Sequence, residues 1–121
     1  MKGVVTDERG VLLAFNDRDE WELPGGRLED GETPQECVAR EIREECSLAV
    51  TVSNLLDAWV FEVIPGRHVL ILAYLCNLEI SSPAQPQTSP EHSEVRFVGL
   101  AELDGIALPL RYRNAIELAR R

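Results

Sequence analysis

Three carboxylates, Glu41, Glu44 and Glu45, have the residue type and spacing most suggestive of chemistry. At roughly 100° per residue around a helix, they fall within about 100° of one another. Val38, Ala39, Ile42 and Cys46 gather on an adjacent face suited to a core. Like charges at such spacings destabilise a helix by roughly 0.2–0.5 kcal/mol per pair. These also stand toward the C-terminal end, where the helix dipole disfavours anions. Arg40 and Arg43 relieve only part of that repulsion. One reading is a solvated acidic face. The other is a hard-cation site, because clustered carboxylate oxygens bind Mg²⁺ or Mn²⁺, which commonly bridge to substrate phosphates.

The elements that must position them are legible nearby. Thr33-Pro34-Gln35-Glu36 is a capping box with proline at the first helical position, so a helix over 33–46 starts at a sharply defined point. Before it, Gly25-Gly26 permits a tight turn and close backbone approach, and Gly31 supplies another turn. A loop folded against the helix start would offer a backbone carbonyl as a further hard oxygen ligand.

Around this unit the pattern predicts short strands. Val4 and Val5, a four-residue turn over Asp7 to Gly10, and Val11 to Phe15 read as a hairpin. Trp21 to Leu23, Leu48 to Val52, Leu55 to Ile64, His68 to Ile80 and Glu94 to Val98 read as further strands. Pro65-Gly66 marks a turn that lets the long runs on either side pair back. The proline- and serine-rich stretch Ser81 to Pro90 reads as a surface loop beside the site. Leu100 to Leu103 suggests one helical turn, and Leu110 to Arg121 an amphipathic helix. Many short strands with two helices predict an α+β domain, a sheet sandwiched by helices.

Composition bounds what such a domain does. At 121 residues the length argues for one domain, 1–121, with a core that needs no disulfide or metal staple. No apolar run approaches the roughly 18 residues of a membrane helix, and the opening residues are too polar for a signal peptide. A cytoplasmic enzyme or binding domain is the expectation. The net charge of −9 excludes nucleic-acid binding through a generally basic surface. It would also repel anionic substrates unless a cation inverted the local field. Ten of the 21 acidic residues lie between Asp19 and Glu45, which is where a metal is expected. Cys37, Cys46 and Cys76 form no C-x-x-C pair and read as buried apolar residues.

Gly26, Glu32 and the run Arg40-Glu41-Ile42-Arg43-Glu44-Glu45-Cys46-Ser47-Leu48 together resemble the Nudix box, G-x5-E-x7-R-E-U-x-E-E-x-G-U, where U is aliphatic. Each defined position matches except one, Ser47, which stands where the pattern has glycine. Trp21 to Gly26 also resembles the usual lead-in, and the flanking strand order extends the likeness over nearly the whole chain. The resemblance implies an α/β/α sandwich with a mixed sheet. It implies hydrolysis of a nucleoside diphosphate linked to another group, a (d)NTP or a nucleotide sugar such as ADP-ribose. By position, Glu41, Glu44, Glu45 and the Gly25 carbonyl would hold Mg²⁺ or Mn²⁺. Arg40 would orient the carboxylates and Glu32 would pair with Arg40. The competing reading is a catalytically idle Nudix domain that binds a nucleotide as a sensor. A regulator of that kind would be expected to bring a DNA-binding domain, for which 121 residues leave no room.

Weaker signals surround the box. Glu91 and Glu94 resemble the place where relatives supply an additional carboxylate as ligand or base. Glu94 is favoured because it abuts a strand, with Glu44 as the helix's own candidate. His92 reads as a loop residue. Trp21, Trp59, Phe61 and Tyr112 could stack a base but read first as core. Ser47 should adopt a left-handed conformation at a cost of about 1 kcal/mol. The short lead-in before Val4 leaves open a weakened nucleoside pocket, a clipped chain, or completion by a homodimer partner.

Overall fold

The structure is a computed structural model and describes residues 1–90 and 92–121. β1 (Lys2–Asp7) and β2 (Gly10–Phe15) form the expected hairpin, but its turn is shorter than the sequence suggests. Asp7 pairs directly with Gly10, leaving only Glu8 and Arg9 in the loop. The Asp7 carboxylate accepts the Arg9 backbone N–H at 2.8 Å, which satisfies the turn locally.

β3 (Trp21–Glu22) pairs with the end of β2, and β6 (Glu94–Val98) runs antiparallel along all of β2 from Val11 to Phe15. β4 (Val50–Ile64) and β5 (Arg67–Leu78) make one long hairpin. The two strands expected between Leu48 and Ile64 are thus a single strand. Register shifts between Val52 and Asp57 absorb the polar Ser53-Asn54 interruption without ending the pairing. β1 joins the two halves of the sheet: Lys2 to Val5 pair in parallel with β5, while Thr6 and Asp7 pair with β2. The sheet is therefore mixed.

Both faces of its centre are buried, which is why β1 and β2 read as continuous apolar runs rather than alternating ones. Val5, Leu12 and Ala14 face one cluster with Val38, Ile42 and Cys46 of α1 (Pro34–Cys46). Val4, Val11 and Leu13 face the other, with Ala115 and Ile116 of α2 (Leu110–Ala119). This is an α+β sandwich, a mixed sheet between two helices. α1 presses so close to β1 that a Cβ on Gly3 would lie 2.8 Å from Val38 and Ile42 side-chain atoms.

The capping box forms as the sequence dictates. Glu36 N–H donates to Thr33 Oγ1 at 3.1 Å, and Thr33 N–H to Glu36 Oε1 at 2.8 Å. The helix ends at Ser47 with φ 60° and ψ 31°, the left-handed conformation expected there, and Ser47 N–H closes on the Arg43 carbonyl at 3.0 Å. The three cysteines are buried and unbridged. Burial pushes the Cys46 and Cys76 thiols up to about 12. A 3-10 turn over Leu100–Gly105 replaces the single helical turn expected at Leu100 to Leu103. Among the described residues no helix is long and apolar enough to cross a membrane.

The loop 81–90 is tied to the body rather than free. Gln87 N–H donates to the Cys46 carbonyl at 2.9 Å, and Ala49 N–H to Ser82 Oγ at 3.0 Å. The Arg9 guanidinium holds the Ala84 carbonyl at 2.5 Å. These ties bring Ser89 and Pro90 beside the carboxylates of α1.

Candidate functional site

Arg40 lies on the first half of α1, and its guanidinium gathers the acids around it. It donates to Glu32 at 2.6 and 3.1 Å, to Glu41 at 2.9 Å and to Glu44 at 3.2 and 3.3 Å. A fourth contact, at 3.0 Å, goes to the Arg27 carbonyl of the preceding loop. The fork geometry of arginine suits this many planar acceptors. Its hydrogen bonds hold the Glu32 carboxyl at about 2, well below the usual carboxylate range. Arg40 is shifted up in return, chiefly by Glu32. The expected pairing of Glu32 with Arg40 is thus present, and Glu32 has no room for another cation on that edge.

The three box carboxylates meet at one cavity of about 270 Å³, lined by Glu41, Glu44, Glu45, Ser89 and Pro90. They differ sharply in setting. Glu44 has a side chain 56% exposed, whereas that of Glu45 is 4% exposed. Glu45 Oε2 accepts the Gly25 backbone N–H at 2.9 Å, so the glycine turn is fastened to the helix. The same turn is laced to β1, with Gly3 N–H on the Pro24 carbonyl and Gly26 N–H on the Met1 carbonyl, both at 3.0 Å. A Cβ on Gly26 would lie 2.4–2.6 Å from the Glu41 carboxylate atoms, so only glycine leaves room for that group.

These residues fit a divalent cation in donor chemistry: three carboxylates and a backbone turn offer hard oxygen ligands. The cradle that a Gly26 side chain would fill is the structural sign of it. Among the described residues no three acidic, histidine or cysteine side chains are already converged as a cage. Glu41 and Glu44 lean instead on Arg40, as mutually repelling carboxylates do when a positive partner is at hand.

One sequence expectation changes on this geometry. Glu94 pairs in register with Phe15, which packs against the α2-side cluster, while the next residue, Val95, takes the α1 side. Strand alternation therefore turns Glu94 away from the α1 carboxylates. Its carboxylate is met by Arg96 Nε at 3.1 Å and its side chain is 53% exposed. Being anchored by a strand fixed Glu94 on the wrong face. Glu91 lies outside the described residues.

The residue that the loop does bring to the site is His92. Its Nδ1 is 3.6 Å from Glu45 Oε1 and its Nε2 is 3.7 Å from Glu22 Oε1, with the side chain 9% exposed. Glu22 is in turn paired with Lys2 Nζ at 3.2 Å. Burial alone would push the Glu22 carboxyl up; the charge and hydrogen bond of Lys2, with its other partners, hold it below its ordinary value. Neither Glu22 nor Lys2 stood out in the sequence, where the only signal was the position of Glu22 beside Pro24-Gly25-Gly26.

Beyond Lys2, whose ammonium sits 5.6 Å from the centre of the Tyr112 ring, an aromatic cleft of about 290 Å³ opens. Trp59, Phe61, Tyr112, Arg18 and Arg111 are among its lining residues. Trp59 meets Tyr112 edge-on at 5.9 Å, and Arg111 lies 5.8 Å over Trp59. Trp21 is elsewhere, packed between Phe15 and Arg96 as core.

The NUDIX domain model matches residues 2–119. The chain belongs to the NUDIX family. An 8-oxo-dGTP diphosphatase of Proteus vulgaris is 46% identical over 55 residues, covering 46% of this chain and 48% of that protein. A MutT-like protein of Streptomyces ambofaciens is 38% identical over 98 residues, 79% of this chain and 60% of its own length. The chain thus spans about half the length of the curated relatives it matches. A NUDIX-family hydrolase from Clostridium perfringens superposes with a TM-score of 0.83 over 98% of this chain and 93% of that one, at 17% identity, which shows the shared fold. Arg40, Glu41, Glu44 and Glu45 all lie within the matched residues.

Proposed function

We propose that this Nudix domain hydrolyses a pyrophosphate bond in a nucleoside diphosphate linked to another moiety, a (d)NTP or a nucleotide sugar such as ADP-ribose. The carrying observation is one cavity lined by Glu41, Glu44 and Glu45, with Glu45 fastened to the glycine turn and Glu41 seated over Gly26. In this reading Glu41, Glu44, Glu45 and the Gly25 carbonyl hold Mg²⁺ or Mn²⁺. A bound divalent cation supplies neutralisation of the pyrophosphate and acidifies water.

The chain's own residues do the rest. Arg40 keeps Glu41 and Glu44 at the cavity wall, and Glu32 keeps Arg40 in place. Glu44, the most exposed of the three, takes the proton of the attacking water at its carboxylate, which a base must reach within hydrogen-bond distance. The aromatic cleft receives the planar base, where stacking on Trp59, Phe61 or Tyr112 contributes about 1–3 kcal/mol per base. A cation at the carboxylates also explains how a chain of net charge −9 accepts a polyanion. The 8-oxo-dGTP diphosphatase activity named for one relative supports a nucleotide substrate. The complete carboxylate set weighs against an idle sensor.

A panel of (d)NTPs, 8-oxo-dGTP and nucleotide sugars incubated with Mg²⁺ or Mn²⁺ tests this reading. Mononucleotide with pyrophosphate, or two monophosphates from a nucleotide sugar, is the expected yield. Nucleotide binding without any product would favour the sensor instead.

A further inference from the structure

His92 brings an imidazole only 9% exposed up to Glu45, and among the described residues its Nδ1 has no hydrogen-bond partner. A polar atom so placed is costly unless something in the working protein satisfies it. The nearest acceptor is Glu45 Oε1 at 3.6 Å, just beyond hydrogen-bond length, so a shift of about half an ångström would make the bond. The opposite edge of the ring abuts Glu22 Oε1 at 3.7 Å, and Glu22 is itself held by Lys2, whose ammonium also donates to the Leu23 carbonyl at 3.0 Å. Lys2, Glu22, His92 and Glu45 therefore stand in a file from the start of β1 to the end of α1. The ring is wedged between two carboxylates, one of them already neutralised by an ammonium.

Resting on the metal-site reading above, we infer that His92 is a positioning residue for Glu45: its Nδ1–H closes on Oε1 and sets the plane of the carboxylate that meets the cation. The ring can donate to Oε1 only with a proton on Nδ1, since a bare nitrogen there would turn a lone pair toward an oxygen that itself can only accept. With Gly25 N–H on Oε2 and His92 on Oε1, both oxygens of Glu45 are steered beside the cavity it lines. Partners that orient ligating groups in this way commonly matter by about 10–100-fold in metal affinity. Glu22 and Lys2 act one step further out, by holding the ring against rotation.

The test uses the free protein and Mn²⁺ alone, with bound and free ion separated by electron paramagnetic resonance, for the parent, His92→Asn, His92→Gln and His92→Leu. The asparagine amide nitrogen falls near the place of Nδ1, whereas the glutamine one falls near Nε2. His92→Leu and His92→Gln should each weaken Mn²⁺ binding about tenfold or more, while His92→Asn stays within about threefold of the parent. Thermal melts without metal accompany each titration. Equal Mn²⁺ affinity in all four, whatever the melts do, would reduce His92 to a packing residue and overturn the inference. Equal loss in Asn and Leu would overturn it too. A parent that binds no Mn²⁺ would instead remove the metal-site reading, and this inference with it.

Discussion

Arg40 and Glu45 sit little more than a turn apart on α1 and are handled in opposite ways. Arg40 gathers acids around its guanidinium, whereas Glu45 is buried and bound to a backbone N–H. The Arg40–Glu32 bond has a pH signature. Glu32 titrates at about 2 in the folded chain against an ordinary 4.5, so it favours folding above pH 4.5, and that contribution is lost as pH falls toward 2. Acid unfolding should therefore be less steep between pH 4.5 and 2 in Glu32→Gln than in the parent; parallel curves would show that the bond does not persist in solution. Glu94 makes the contrasting case. A general base contributes about a hundredfold or more, but Glu94 lies on Arg96 across the sheet, so Glu94→Gln should leave kcat within about twofold. A fall of a hundredfold in steady-state assays would return Glu94 to the chemistry.

At the scale of elements, α1 was the most legible part of the chain, because its boundaries are set by local chemistry. Thr33, Pro34 and Glu36 act within one turn, and their bonds form as their spacing requires. Its C-terminal end carries a cost that can be removed. Ser47 is left-handed at φ 60°, so Ser47→Gly should raise stability by a few tenths to about 1 kcal/mol, seen as a melting temperature higher by a few degrees. A lower melting temperature would mean that the serine side chain makes a compensating bond. What was not legible depended on contacts distant in sequence. Nothing local says that Ser53-Asn54 would be absorbed as an irregularity in β4, because pairing with β5 decides it. The face on which Glu94 lies follows from its alternation with Val95, which only the pairing of β6 with β2 fixes. His92 was undervalued because its two carboxylate neighbours come from residues 47 and 70 positions away.

The whole molecule sets an acidic cavity and an aromatic cleft around a mixed sheet whose centre is buried on both faces. The acidic cavity belongs to α1 and the glycine turn; the aromatic cleft belongs to β4, β5 and the start of α2. Lys2 and Glu22 lie between them, so a ligand of nucleotide shape could span the gap with its base in one and its phosphates at the other. With a net charge of −9, a cation at the carboxylates would offset the repulsion that a polyanion meets here. The most direct test compares hydrolysis of one accepted nucleotide by the parent and by Glu45→Gln, each with Mg²⁺ and again with excess EDTA, alongside thermal melts. The amide keeps the shape of the buried side chain and an oxygen for Gly25 N–H while removing the charge. Parent activity should vanish in EDTA and return with Mg²⁺, and Glu45→Gln should lose about a hundredfold or more at an unchanged melting temperature. Hydrolysis that persists in EDTA, or is undiminished in Glu45→Gln, would contradict the assignment of these carboxylates to a metal.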